Sequence, residues 1–179
     1  MGEPKRTRLV FLGFADEGVA RSVTGVIESG IRAKSITVDD WSMIHKAPGG
    51  KLTIANSKSA DPGGARGALF GGGAGFLLSA LSGPIGLGAV AGGAAVGAVT
   101  AAVRDSGLKN EDIVEVSKLM ADGRSGIMVA LPLAEAGRWD QFVATHSEFQ
   151  ASDRRYQVDI VPGRTFEQAL DEYRQNEER

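Results

Sequence analysis

The chain has 179 residues with 20 Lys and Arg against 22 Asp and Glu, a length that suits one domain with an appended element and leaves no room for two full domains. The charges are interspersed, and only Lys5, Arg6 and Arg8 make a small basic cluster, which argues against an extended phosphate-binding surface and a nucleic-acid partner. The absence of cysteine excludes a disulfide framework, a thiolate nucleophile and a cysteine zinc site, and is compatible with the cytoplasm.

The apolar run Leu9 to Phe14 is too short for a signal-peptide core, so no export is expected. Arg6 stands where myristoylation needs Ser or Thr. Leu9 to Phe14 reads instead as a buried strand. Asp16 and Glu17 then suit a helix N-terminus, and Val19, Ala20, Val23, Val26 and Ile27 recur at helical spacing until Ser29-Gly30, where the helix is expected to end. Ile36 to Ala47 and Lys51 to Ala55 flank a Pro48-Gly49 turn signal and predict an antiparallel hairpin.

Composition changes abruptly after this point. No charged residue lies between Arg66 and Arg104, and the interval with its lead-in holds about half of the glycines. Gly63, Gly67, Gly71, Gly75, Ser79 and Gly83 recur every four residues, as do Ala89, Gly93, Gly97 and Ala101. On a helix that period lays small residues along one stripe, where a second backbone approaches closely. Ser82-Gly83-Pro84 is the natural place for the chain to turn. Two antiparallel helices are therefore expected, a glycine-zipper hairpin.

Each arm would be about 22–27 Å long against a hydrocarbon core of about 30 Å. The bulky apolar residues concentrate in the first arm, at Leu69, Phe70, Phe76, Leu77 and Leu78, which makes that arm the one to face lipid or a neighbouring subunit. Arg66 and Arg104 bracket the uncharged stretch at the same end, placed for water or anionic headgroups. Three readings fit the segment: a hairpin in a membrane or a membrane-attached oligomer, a dry hairpin buried in a soluble homo-oligomer, and a dinucleotide fingerprint at Gly86 to Ala91. The last lacks the β-branched strand that such a fingerprint must follow.

Beyond the segment, Asn110, Glu111 and Asp112 start a helix with Ile113, Val116 and Met120 on its buried face and Gly123 as its stop. A strand is expected at Gly126 to Leu133, a helix carrying Trp139, Phe142 and Val143 on one face, a strand at Tyr156 to Val161, and a charged helix from Thr165. The order predicts an α+β fold, a ferredoxin-like plait (β-α-β-β-α-β) with two helices on one face, an inserted helical hairpin, and a carboxyl-terminal α-β-α extension. The corresponding divisions are 1–62, 63–107 and 108–179.

Catalytic signals are thin. His45 and His146, the only histidines, sit in ordinary strand and helix segments and read as structural. Gly13 to Gly18 has P-loop-like glycine spacing, but Val19 and Ala20 occupy the places of the phosphate-binding Lys and the magnesium-binding hydroxyl. The carboxylate pairs Asp39-Asp40, Glu111-Asp112 and Asp171-Glu172 read as solvated strand ends or helix turns, and Trp41 and Trp139 as core. Neither an enzyme nor a cofactor or metal site is expected.

The run Gly64 to Gly72, the zipper, and Asp105-Ser106-Gly107-Leu108 leading into Asn110 to Ile113 together resemble the bacterial family called domain of unknown function 1269, often labelled predicted membrane proteins. The resemblance covers about residues 8 to 150 and implies an α/β part before the hairpin, a helix and strand after it, no catalytic residues, and an association with stress responses. The expectation is a non-enzymatic protein whose partner is itself, with membrane lipid as a second partner. It would sit in the cytoplasm, at the inner face of the cell membrane or inserted in it. The alternative is a soluble oligomeric module that holds a lipid-like or quinone-like molecule between its hairpins.

Overall fold

The computed structural model describes residues 6–49, 52–57 and 107–161. In chain order it contains β1 (Thr7–Phe14), α1 (Glu17–Arg32), β2 (Asp40–Lys46), β3 (Leu52–Ser57), α2 (Asn110–Leu119), β4 (Ser125–Pro132), α3 (Ala136–Thr145) and β5 (Arg154–Ile160). Asp16 caps α1, its carboxylate accepting from the Val19 N–H at 2.9 Å, as the sequence implies. The helix runs past the expected stop at Gly30. Lys34 takes the left-handed turn instead, with φ 56°, while the hydroxyl and the N–H of Ser35 both donate to the Gly30 carbonyl at 3.0 Å. Gly123, with φ 78°, turns the chain between α2 and β4.

The fold is α+β around an antiparallel sheet with strand order β3-β2-β4-β1-β5. β1 and β4 pair along their whole length, from Thr7 opposite Pro132 to Phe14 opposite Ser125. β5 lies on the other side of β1 with Phe11 opposite Tyr156, and β2 lies on the other side of β4 with Trp41 opposite Val129. From sequence, β1-α1-β2-β3-α2-β4 form the plait and the elements after β4 are an extension. The register differs: β5 pairs directly with β1, α3 packs in the same core as α1, and β3 is an outer edge, joined to β2 with a shift in register between Met43 and Ile44.

Strand alternation sorts the core into two layers. Val10, Leu12 and Phe14 of β1, Trp41 and Met43 of β2, and Ile127, Val129 and Leu131 of β4 face α1 and α3. There they meet Ala20, Val23, Ile27, Trp139, Phe142 and Phe149. The opposite face carries Leu9, Phe11, Ile44 and Met128, all buried. α2 lies on that face rather than beside α1, because Gly13 and Gly126, opposite one another on β1 and β4, leave bare backbone for its C-terminus. A Cβ at Gly126 would stand 2.5 Å from the Met120 sulfur, and one at Gly13 would stand 3.2 Å from the Leu119 carbonyl oxygen. Two cations complete this end of α2: Arg154 donates to the Lys118 carbonyl, and Lys46 Nζ donates to that of Met120 at 3.3 Å.

Gly30 and Gly25 lie in one helix but in opposite environments. A Cβ at Gly30 would sit 2.6 Å from Phe142 Cζ, whereas one at Gly25 meets nothing within 4 Å. Gly30→Ala is therefore expected to cost about 1–3 kcal/mol through overpacking. Gly25→Ala is expected to gain ~0.5–1 kcal/mol by restricting the unfolded chain. Chemical denaturation of both variants checks the opposite signs.

Candidate functional site

The residues expected to form the assembly hairpin, Gly67, Gly71, Gly75, Ser79, Gly83, Ala89, Gly93, Gly97 and Ala101 with Leu69, Phe70, Phe76, Leu77 and Leu78, lie outside the described residues. So do its bracketing Arg66 and Arg104, the Gly86 to Ala91 fingerprint, and Asp171 and Glu172. The structure does place the chain on either side of residues 58–106, which are not described. β3 ends at Ser57 on one edge of the sheet. Gly107 stands at the other, where a Cβ would be 2.6 Å from the Val161 carbonyl oxygen, just past β5. Its φ of 80° and this contact together require glycine.

The returning chain is pinned at once. Leu108 is buried, and the Lys109 N–H donates to Asp112 Oδ2 at 2.7 Å, the carboxylate of the first helical turn reaching back over the helix start. Asp112 Oδ1 accepts from the Tyr156 hydroxyl at 2.6 Å, which ties α2 to β5. Sequence alone reads Asp112 as one of a solvated pair. Here it is 8% exposed, because Tyr156 stands on the same face of the sheet, a pairing visible only once the strand register is known. The hydrogen bond to Asp112, reinforced by burial and by the aspartate's charge, pushes the Tyr156 phenol up from 10.0 to about 12.

The other expected solvated pair, Asp39-Asp40, is also buried, and Asp40 accepts from the Trp41 N–H at 2.8 Å. Both tryptophans lie in the core, as expected. His146 shares its Nδ1 with the Phe142 carbonyl at 2.8 Å and packs on that ring at 4.2 Å between centroids, a helix-ending role. His45 Nδ1 lies 3.0 Å from Ser125 Oγ and 3.9 Å from Glu17 Oε2. A relay needs the acid and the nucleophile on different ring nitrogens, whereas here both face the same one and Ser125 is fully buried. Gly13 lies within a strand and not in a phosphate-binding loop.

Arg8 forms a bidentate pair with Asp159, 2.7 and 3.1 Å, and reaches Asp140 of α3 at 3.3 Å. The hydrogen bond from Arg8 holds the Asp159 carboxyl below its ordinary range, and Asp159 in turn raises the Arg8 guanidinium. Between α1 and α3 an open cleft of about 660 Å³ is floored by Val26, Gly30 and Phe142 and walled by Ser22, Arg138 and Gln141.

Among the described residues no helix is long and apolar enough to cross a membrane, and no three His, Asp or Glu side chains converge as metal ligands would. Comparison of the chain with protein-family models, curated proteins and solved structures gives no match.

Because Tyr156 binds its proton more tightly when folded, its stabilising contribution is complete below about pH 10 and is lost as pH rises through about 12. Tyr156→Phe is expected to cost ~1–2 kcal/mol at neutral pH and to flatten this alkaline loss. Absorbance titration of the phenolate beside denaturation midpoints checks both. Asp159 acts with the opposite sign: its contribution is present above the ordinary carboxylate range and is lost as pH falls through its depressed value.

Proposed function

We propose that this chain is a self-assembling protein in which a small α/β domain displays a glycine-zipper hairpin, and that the hairpin joins copies of the chain in or against a membrane or within a scaffold. The observation that carries this is the four-residue repeat of Gly67, Gly71, Gly75, Ser79 and Gly83, answered by Ala89, Gly93, Gly97 and Ala101, inside a stretch without charge. A surface loop has no use for such a repeat, whereas helices packed at close range do. Each glycine costs up to about 1 kcal/mol relative to alanine in a helix, so packing against another backbone must supply the stability.

The domain supports this reading as a carrier. The chain leaves the sheet at β3 and rejoins it beside the end of β5, four interstrand spacings away or roughly 19 Å across the sheet alone, with a further offset along the strands. The base is therefore wider than the 8–10 Å between two packed helix axes. The order β2-β4-β1-β5, with α1 and α3 on one face, supports reading these elements as a ferredoxin-like plait to which β3 and α2 are additions. The resemblance of Gly64 to Gly72 and of Asp105 to Ile113 to domain of unknown function 1269 points to the same kind of protein, non-enzymatic, placed at the cytoplasmic face of the membrane, with a stress-related role.

The test is native mass after fractionation without detergent. The full-length protein is expected as an oligomer, released from membranes by detergent if the hairpin lies in lipid and recovered as a discrete soluble particle if the subunits bury it. Gly71→Leu and Gly97→Leu are each expected to dissociate that oligomer, since a bulky side chain forces the packed helices apart. An unchanged mass for both variants would overturn the proposal.

A further inference from the structure

We infer that β5 is a pairing edge for a second copy of this chain, joined antiparallel about a two-fold axis at Gln157. This interface is separate from the hairpin and does not depend on it. Among the described residues β5 pairs only with β1, so its outer edge has no described strand beside it. An edge of this kind is a template for another strand unless its side chains forbid it. In β5 they fit a copy of themselves.

The faces are fixed by alternation. Arg155, Gln157 and Asp159 point to the α3 side and are exposed, while Tyr156 and Val158 point to the α2 side and are half-buried. A two-fold at Gln157 sets Arg155 opposite Asp159 of the second copy and Asp159 opposite its Arg155, with the two Gln157 amides between them. On the other face it sets Tyr156 opposite Val158 twice, an aromatic with a β-branched residue, which is a favourable cross-strand combination.

Neighbouring registers that keep both faces aligned are worse. Centring on Tyr156 leaves Arg155 opposite Gln157, centring on Val158 leaves Asp159 opposite Gln157, centring on Arg155 sets that arginine against itself, and centring on Asp159 sets two carboxylates together. The Gln157 register alone gives two opposite-charge pairs and no like-charge pair. Both partners already hold contacts within one copy, Asp159 with Arg8 and Arg155 with the Phe149 carbonyl, and the cross-strand pairs would extend these contacts.

Since the chain has no cysteine, one introduced thiol reports the pairing cleanly. Gln157→Cys in the full-length protein would stand on the two-fold with the Cβ atoms about 4.5–5.5 Å apart, close to disulfide reach. Under mild oxidation it is expected to give a covalent dimer at least ~10-fold faster than Gly25→Cys, an exposed position on α1. Adding Arg155→Glu is expected to slow the reaction by ~10-fold through like charge opposite Asp159. A spin label at position 157 gives a second reading free of disulfide geometry, and a short label-to-label distance is expected. Adding Gly71→Leu, which tests the hairpin, is expected to leave the cross-link unchanged. Equal rates for the two thiols together with no short distance overturn the inference, and the charges of β5 then serve only to keep neighbouring edges apart.

Discussion

The ladder between β1 and β4 is the constraint from which the rest of the described structure follows. From Leu9 to Phe14 and from Gly126 to Pro132 these strands are apolar or glycine on both faces, so neither face tolerates water and each demands a cover. α1 and α3 supply one cover through Trp139, Phe142 and Val23, and α2 with the residue that follows it supplies cover on the other through Val116, Leu119 and Met120. The two covers are seated differently. On the α1 side, large side chains interlock, and burying any one of them is worth roughly 1.5–3 kcal/mol. On the α2 side the sheet offers bare backbone at Gly13 and Gly126, and the helix end comes down onto it.

Local signals were legible where the chain's own chemistry decides the outcome. Asp16 announces the start of α1, Gly123 announces the turn before β4, and the alternation around Tyr156 announces β5. Partnership between strands was not legible, because periodicity does not say that β4 and β5, and not β3, are the strands that flank β1. Gly30 misled for a related reason. A glycine near the end of an apolar run has the appearance of a helix stop, but this one stays helical so that the Phe142 ring can lie against its backbone.

The polar residues follow the same division. Asp39, Asp40 and Asp112 stand in charged pairs that suggest solvent, yet they are buried, and what buries Asp112 is a tyrosine 44 positions further along the chain. Asp159 and Arg8 are 151 positions apart and still form the bidentate pair that fastens the outer strand to the centre of the sheet. For the candidate assembly element the balance is reversed. Its small-residue repeat is written plainly in the sequence, and the fold contributes the placement of its two ends.

That placement bears on how the protein is made. β1 and β2 do not touch along the sheet; they are joined only through β4, which is translated after the whole uncharged segment between Arg66 and Arg104. The first third of the chain therefore cannot close its sheet on the ribosome and must wait, while the glycine-rich stretch emerges ahead of the strand that completes the domain. The uncharged segment has therefore been synthesised before the strand that completes the sheet, and the domain closes after it.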